Sequence, residues 1–394
     1  AASAYALEEE EDGMGVVGKR VSSLKQEVAE VGGRSGIELK IAGRRVRMFG
    51  GGAGAGWAEE NKADKGKLGN QIPRAYDVSI RALKGGRLSM EDEYFVSNGG
   101  RFAAVFDGHG GGGVSAYLRQ KLYELFRQHL VEAEHNHQEL SGDVSNEAHR
   151  NHLHHSHISD DPDAEPLSMR SYSINSRVAA IRAAFDELDR EVCLNDDLQY
   201  QGSTAVAVVL HEDQDGSRTL LSANVGDSRA VLSRRGRAVD LTRDHKPNDE
   251  REKARILAMG ETIEWDHYCK VHRVRNLSLS RAIGDRFAKP AVSGDVEIKR
   301  FPVANGGDEF IILASDGLWD VMSSQEAVAY VHRKLDAPLK STDVTRDEME
   351  RVNFTRRKNM SRFVANEALR RGSGDNVCVV IVWLKDTHFD PTIA

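Results

Sequence analysis

The stretch FAAVFDGHGG, Phe102 to Gly111, carries the most structural information in this chain of 394 residues. Phe102–Phe106 is a short unbroken apolar run, which is typical of a buried strand. The run ends at Asp107, and the glycines that follow let the backbone approach a ligand closely. Helix propensity after Gly113 places this turn at a helix start, which also suits an anion. The stretch therefore predicts a buried strand, a ligand-facing turn and a helix in succession.

The same arrangement, an acid on a turn beside an apolar run, recurs along the chain. The acids are Glu91 and Asp92 in RLSMED, Asp227 in NVGDSR, Asp316 in ASDGLWD and Asp375 in GSGDN. A turn aspartate that makes local hydrogen bonds is the simpler interpretation of each one alone. Buried carboxylates are costly without a counter-charge, and oxygen ligands are those that Mg²⁺ and Mn²⁺ prefer. The repetition therefore favours a site for hard divalent cations.

Two further residues near these acids have side chains suited to phosphate chemistry. His109 lies two positions after Asp107, and an imidazole can exchange a proton near neutral pH. Arg87 precedes Glu91 and Asp92, and a guanidinium can hold a phosphate in bidentate fashion. A surface ion pair remains the alternative for Arg87.

Periodicity predicts an α+β fold. Strands are expected at apolar runs bounded by Gly, Asp or Asn, namely Phe102–Phe106, Thr204–Leu210, Leu220–Val225, Ala230–Leu232, Phe310–Leu313 and Val377–Trp383. Helical spacing runs from Val114 to Leu125, from Val178 to Val192 and from Met360 to Leu369, and Ser323 with Glu326 resembles a capping box. Because strands come in runs with helices between them, antiparallel sheets are expected.

Composition excludes several classes of protein. The net charge of −7 leaves no basic footprint for nucleic acid, and no apolar run approaches the ~20 residues that span a bilayer. Three widely separated cysteines argue against a disulfide framework and for a reducing compartment. We expect an intracellular protein of the cytoplasm or nucleus. Organelle targeting stays open because the sequence begins at Ala1 without Met.

The chain divides into unequal parts. Residues 1–72 have the composition of a flexible, low-complexity extension, residues 73–388 form the expected domain, and residues 389–394 are a short tail. The glycine cluster Gly50–Gly56 lacks the Lys-Ser/Thr of a nucleotide loop, which favours a linker. Residues 133–172 are a polar, histidine-rich insertion that reads as a disordered surface segment, with metal binding through imidazoles as the alternative.

Taken in order, the motifs resemble those of the metal-dependent serine/threonine protein phosphatases of type 2C, the PPM-type family. The matching motifs are RLSMED, VFDGHGG, GSTA, NVGDSRAV, LTRDHKP, LSLSRAIGD, ILASDGLWDV and GSGDNV. They extend over roughly 300 residues, from Tyr76 to Leu384, so the match is far more specific than any single motif. The resemblance implies a four-layer α-β-β-α sandwich, two antiparallel sheets flanked by helix pairs, with a metal centre at one end.

The resemblance also implies roles for individual residues. Asp107 would bridge two metals, Asp316 and Asp375 would complete the first, and the Gly108 carbonyl would bind the second. Further implied roles are Glu91 and Asp92 at the second metal or its waters, Asp227 at a weaker third metal, Asp320 as an outer acid, Arg87 on phosphate and His109 as general acid. Ser203 and Thr204 are expected to pack or hydrogen-bond at a strand start.

The implied activity is hydrolysis of phosphoserine and phosphothreonine in phosphoprotein substrates by a water activated between two Mg²⁺ or Mn²⁺ ions, with a third bound weakly. We expect a monomer. Cys193, Cys269 and Cys378 lie outside phosphate-cradling motifs, which argues against a thiol-based phosphatase. Two alternatives stay open: a non-catalytic phosphatase-like docking protein, and an enzyme for small phosphate esters.

Trp265 lies in a region that resembles the flap beside the active site. In plant hormone-regulated members of the family, a tryptophan near this position docks a receptor. The surrounding WDHYCKVHRV does not closely follow that subgroup. Packing on the flap or contact with substrate is therefore favoured over receptor docking for Trp265.

Overall fold

The computed structural model describes residues 36–41, 44–49, 75–97, 99–141, 172–213, 215–338 and 345–384. Residues 1–70 and 71–394 are two compact units. In the first, an antiparallel hairpin joins β1 (Gly36–Ile41) to β2 (Arg44–Phe49), which the sequence analysis does not predict. The cluster Gly50–Gly56, the histidines of the insertion from His149 to His157 and the tail 389–394 lie outside the described residues, so their interpretations stay predictions.

The second unit contains the predicted α+β architecture. Its strands, in chain order, are β3 (Val78–Leu83), β4 (Asp92–Val96), β5 (Phe102–His109), β6 (Gly202–Ser203), β7 (Ala205–Glu212), β8 (Arg218–Val225), β9 (Arg229–Arg234), β10 (Arg237–Asp240), β11 (Glu264–Asp266), β12 (Val271–Arg273), β13 (Ile283–Gly284), β14 (Glu297–Pro302), β15 (Asp308–Ala314) and β16 (Val377–Trp383).

These strands form two main antiparallel sheets. Sheet I has the order β13-β6-β5-β7-β8-β14, with β4 also paired to β5. Sheet II has the order β10-β9-β15-β16-β3. β11 and β12 form a separate hairpin.

Helices cover the outer faces of the two sheets, and one short helix, Glu250–Ala258, packs against loop residues instead. In chain order they are α1 (Gly113–Ser141), α2 (Ile174–Leu194), α3 (Glu250–Ala258), α4 (Asp316–Trp319), α5 (Ser324–Leu335), α6 (Arg346–Lys358) and α7 (Met360–Arg370). The capping box predicted at Ser323 and Glu326 is present at the start of α5. α6 begins with a second capping box at Thr345 and Glu348, which the sequence analysis missed.

The alternation of side chains explains why the strands are apolar throughout. On β5, Phe102 and Phe106 pack under α1 and α2, whereas Ala103 and Val105 face the space between the sheets. Both faces of the strand are therefore buried, as the unbroken run of apolar residues indicates. Each large apolar side chain buried in this way contributes about 1.5–3 kcal/mol.

In sheet II, too, both faces of the central strands are buried. Phe310 and Ile312 of β15 pack against α5 and α7, and Ile311 and Leu313 face sheet I. The result is the predicted four-layer sandwich, with helices outside and two sheets back to back. Within the described ranges, none of the helices is long and apolar enough to cross a membrane.

Candidate active site

Strand pairing within sheet I brings two of the predicted acids together. Asp92, the first residue of β4, lies opposite Asp107 near the end of β5. Residues that face each other across antiparallel strands have neighbouring side chains. Asp92 is buried, and Asp107 lies where the apolar part of β5 gives way to the glycine-rich turn.

Glu91 is held at the start of this pair by backbone contacts. Its carbonyl oxygen accepts hydrogen bonds from the Gly108 amide, 3.2 Å away, and from Ser115 Oγ, 2.6 Å away. A Cβ atom at Gly108 would lie 2.7 Å from the Glu91 carbonyl oxygen and 2.7 Å from Ser115 Oγ, so only glycine fits. Local packing alone therefore requires glycine at position 108, whether or not a ligand approaches its backbone.

Sheet II supplies the next two acids from adjacent strand ends. β15 leads into Asp316 at the start of α4, and Asp375 precedes its neighbour β16 by two residues. Between them, a Cβ atom at Gly317 would collide with the Asn376 carbonyl, which explains the Asp-Gly pair. Ser315 joins the two sheets, because its hydroxyl donates to Asp92 (2.7 Å) and accepts from the Cys378 amide (3.0 Å).

Asp227 approaches the same end of the sandwich from the turn between β8 and β9. Its carboxylate pairs with the ammonium group of Lys246. The preceding Gly226 amide donates to Nδ1 of the buried His245, 3.1 Å away. Asp227 therefore has a basic partner in space, 19 residues away along the chain. Its partner lies in LTRDHKP, a motif to which the sequence analysis gave no role.

The electrostatics of the site show an excess of negative charge. Burial raises the pKa of both Asp107 and Asp316 well above the ordinary value, and each is raised further by neighbouring carboxylates. Burial also raises the pKa of Asp92, to about 7, although the hydrogen bond donated by Ser315 lowers it. The pKa of Asp320 is raised by burial and by Asp227. Carboxylates in this state need protons or cations nearby.

Three of the acids hold local partners instead of converging on one point. Asp92 accepts from Ser315, Asp227 pairs with Lys246, and Asp375 accepts from Arg87 Nη2 at 2.6 Å. Consistent with this, the described part of the chain contains no group of three or more acidic, histidine or cysteine side chains arranged as a closed metal-ligand set. The donor chemistry nevertheless fits hard divalent cations, because the donors are oxygens and their charge exceeds the positive charge nearby.

His109 is positioned by a residue that the sequence analysis missed. Its Nε2 lies 2.7 Å from Oδ2 of Asp285, which is fully buried in a left-handed backbone conformation. Burial lowers the pKa of His109, but the hydrogen bond and charge of Asp285, with Asp227 and Glu91, raise it above its ordinary value overall. The only sequence signal for Asp285 was its place at the end of LSLSRAIGD.

The remaining predicted residues lie around this cluster. The Arg87 side chain is 61% exposed and reaches Asp375 from the loop before β4. Thr204 Oγ1 accepts from the Asp107 amide at 3.1 Å, and Ser203 Oγ donates to the Asp107 carbonyl at 3.2 Å. These two hydroxyls therefore hold the backbone of the turn, as expected.

Trp265 lies on the hairpin of β11 and β12. Its side chain is 44% exposed, and its ring meets the His272 imidazole edge-on with 4.7 Å between centroids. Packing on the hairpin is thus observed. Substrate contact and receptor docking stay predictions.

A family model described as Protein phosphatase 2C matches residues 136–377. The chain is 33% identical over 320 residues to a "Probable protein phosphatase 2C 59" of Arabidopsis thaliana, covering 79% of this chain and 81% of the relative.

Solved structures show the same fold. One, described as a C. elegans sex determining protein, has a TM-score of 0.59 at 26% identity and covers 80% of this chain and 67% of that chain. Another, a serine-threonine phosphatase 2C from Toxoplasma gondii, has a TM-score of 0.54 at 23% identity and covers 80% of this chain and 96% of that chain. The chain therefore belongs to the protein phosphatase 2C family of serine/threonine protein phosphatases.

Proposed function

We propose that this protein hydrolyses phosphoserine and phosphothreonine in phosphoproteins, with Mg²⁺ or Mn²⁺ held by the acidic cluster. The observation that carries the proposal is the buried, mutually repelling set of carboxylates at one end of the sandwich, whose pKa values are raised. Such a set is stable as carboxylates only when cations offset its charge.

The proposed ligands would hold two tight ions and a weaker third. Asp107 would be shared by the first two ions, with Asp316 and Asp375 holding one of them and the Gly108 carbonyl the other. Glu91 and Asp92 would act on the second ion directly or through water, Asp227 would hold the third, and Asp320 would orient the cluster from outside. When bound, the cations lower the pKa of an attacking water and offset charge on the phosphoryl group.

Other side chains of the chain act on the phosphate ester itself. Arg87, exposed and paired with Asp375, can turn its guanidinium to two phosphoryl oxygens. His109 holds a proton because Asp285 favours the charged imidazole, and it gives that proton to the departing serine or threonine oxygen. General acids of this kind typically contribute about 10²–10⁴-fold.

The test measures release of phosphate from a phosphothreonine peptide as Mn²⁺ or Mg²⁺ is titrated, with EDTA as the metal-free state. We expect activity that depends on the metal and disappears in EDTA. A catalytically silent protein with intact fold and bound Mn²⁺ would contradict the proposal and favour a docking role. Every predicted acid is present in this chain, which speaks against that alternative.

The choice between proteins and small phosphate esters needs a second arm of the same experiment. We expect kcat/KM on phosphopeptides to exceed that on phosphorylated metabolites. The reverse order would assign the site to small esters while keeping its metal chemistry. A monomeric state in the cytoplasm or nucleus remains a prediction from the sequence.

A further inference from the structure

A second charged region lies outside the acidic cluster. It is an open cavity of about 410 Å³, within the usual size range of small-molecule sites. Its lining is dominated by five arginines, which come from α2, α3 and two other segments of the chain: Arg182, Arg243, Arg251, Arg255 and Arg281. An apolar ligand is therefore a poor match for it.

Most of these guanidinium groups already have carboxylate partners. Glu252 accepts from Arg255 and Arg281 at 2.6–3.2 Å. Arg243 bonds Glu297 at 3.2 Å and also Asp249 at 2.6 Å. These pairs form the walls of the cavity, and three of its five arginines are neutralised in this way.

Arg182 and Arg251 are the two that remain. Their side chains are exposed, and in the described part of the chain neither has a carboxylate within ion-pair distance. Arg182 makes a long contact of 3.5 Å with the Val296 carbonyl and feels the charge of Asp186 only at longer range. Two guanidinium groups from separate helices thus face one cavity without a neutralising partner.

We propose that this cavity binds a phosphate group. A guanidinium fork matches the oxygens of phosphate in bidentate fashion, and a phosphate monoester carries nearly two negative charges at neutral pH. Two unmatched arginines therefore suit a phosphate better than a single carboxylate. The group has two possible sources: free inorganic phosphate, or a phosphorylated residue on a peptide. The cavity is a separate site from the acidic cluster, and the proposal does not depend on catalysis there.

The test measures binding of inorganic phosphate by isothermal titration in EDTA, where metal-dependent binding at the acidic cluster is suppressed. Chloride at matched ionic strength provides the blank. We expect one phosphate per wild-type chain. The double variant Arg182→Gln/Arg251→Gln should bind at least about tenfold more weakly, because hydrogen bonds to charged groups are worth that much. Arg190→Gln, an exposed arginine on α2 outside the cavity, is the matched control and should bind as wild type.

A second arm identifies the source. A phosphoserine peptide and its unphosphorylated twin are titrated under the same conditions. Tighter binding of the phosphopeptide than of inorganic phosphate, lost in the double variant, assigns the cavity to phosphoproteins; binding of inorganic phosphate alone assigns it to the free ion. Wild-type protein that binds neither, or a folded double variant that binds as well as wild type, overturns the proposal. Thermal denaturation verifies folding, and exposed substitutions should leave it nearly unchanged.

Discussion

The acidic cluster and the arginine-lined cavity both bury carboxylates, and their chemistry is opposite. Glu252 in the cavity wall is buried with Arg255 and Arg281 beside it. Burial raises the pKa of Glu252, but the two arginines outweigh it and hold that pKa at about 2. Asp92 in the cluster has acids as neighbours, and burial with their charge raises its pKa to about 7. The buried carboxylate of the cavity wall is neutralised by the chain itself, whereas that of the cluster is not.

This difference separates a structural use of buried charge from a functional one. A carboxylate with its partners in place stabilises the fold and leaves little to bind. A carboxylate among like charges destabilises the fold until something positive arrives, and perturbed groups of this kind are typical of functional sites. The comparison predicts that substitutions in the two regions have opposite effects on stability.

The largest expected effect is on folding. Glu252→Gln removes the charge that neutralises Arg255 and Arg281, and breaking a buried pair from one side costs about 3–5 kcal/mol. The free energy of unfolding from urea denaturation, monitored by circular dichroism, measures this loss. Glu350→Gln, which breaks an exposed pair with Arg346 on α6, is the control and should cost less than about 1 kcal/mol. Equal losses in the two variants would mean that the cavity walls are not structural.

Asp107→Asn should behave in the opposite way. Removing one charge relieves repulsion from Asp92 and Asp227, so the melting temperature in EDTA should rise above that of wild type. Activity on a phosphopeptide with Mn²⁺ should fall by about 10²–10³-fold or more, as when an electrostatic group at the reacting centre is removed. The exposed Asp197→Asn should change neither quantity. An active Asp107→Asn enzyme would contradict the proposed metal site.

The dependence of stability on pH should also differ between the regions. The pKa of Glu252 is lowered from 4.5 to about 2, so its stabilisation is complete above 4.5 and is lost as the pH falls through 2. The pKa of Asp92 is raised from 3.8 to about 7, so without metal its contribution is complete below 3.8 and is lost as the pH rises through 7.

Melting temperatures in EDTA between pH 2 and pH 8 test both signs. On lowering the pH from 8, wild type should first gain stability as Asp92 takes up a proton and then lose it below pH 4.5, each by several °C. Asp92→Asn should weaken the gain, and Glu252→Gln should weaken the loss. If both variants kept the wild-type profile, the contrast between the regions would not arise from these two residues.

The sequence predicts the fold well because its strands are buried on both faces. Runs such as Phe102–Phe106 and Phe310–Leu313 contain no polar residue, so a strand between two apolar layers is the natural interpretation. The hairpin of β1 and β2 and the helix α6 were missed for other reasons. Ile37, Leu39 and Ile41 alternate as in a strand, but this short pattern lies within a region that otherwise has a low-complexity composition. α6 is dominated by charged residues.

The acids of the site could be predicted because each follows or precedes such a run. Their partners could not, because pairing depends on tertiary contacts across long stretches of sequence. Lys246 lies 19 residues from Asp227, and Asp285 lies 176 residues from His109. Nothing local distinguishes these two residues from an ordinary surface lysine and an ordinary turn aspartate. The arginine-lined cavity was missed likewise, since its residues come from several separate elements.

The smallest expected effect concerns Asp285, for which we infer an action on the reaction through its contact with His109. Asp285→Asn keeps the size of the side chain but removes the charge that favours a protonated imidazole. We expect kcat on a phosphothreonine peptide to fall about tenfold, at the low end for loss of a supporting hydrogen-bond partner. Asp196→Asn, which breaks the neighbouring exposed pair with Arg286, is the control and should leave kcat unchanged.

The choice of substrate distinguishes positioning of His109 from a general structural role. A threonine alkoxide needs a proton as it departs, whereas the nitrophenolate of p-nitrophenyl phosphate is a weak base and departs without one. Asp285→Asn should therefore lose more activity on the peptide than on p-nitrophenyl phosphate. His109→Gln should show the same selectivity, and combining the two substitutions should add little because they act on one proton transfer. Equal losses on both substrates would mean that Asp285 only supports the fold around the turn.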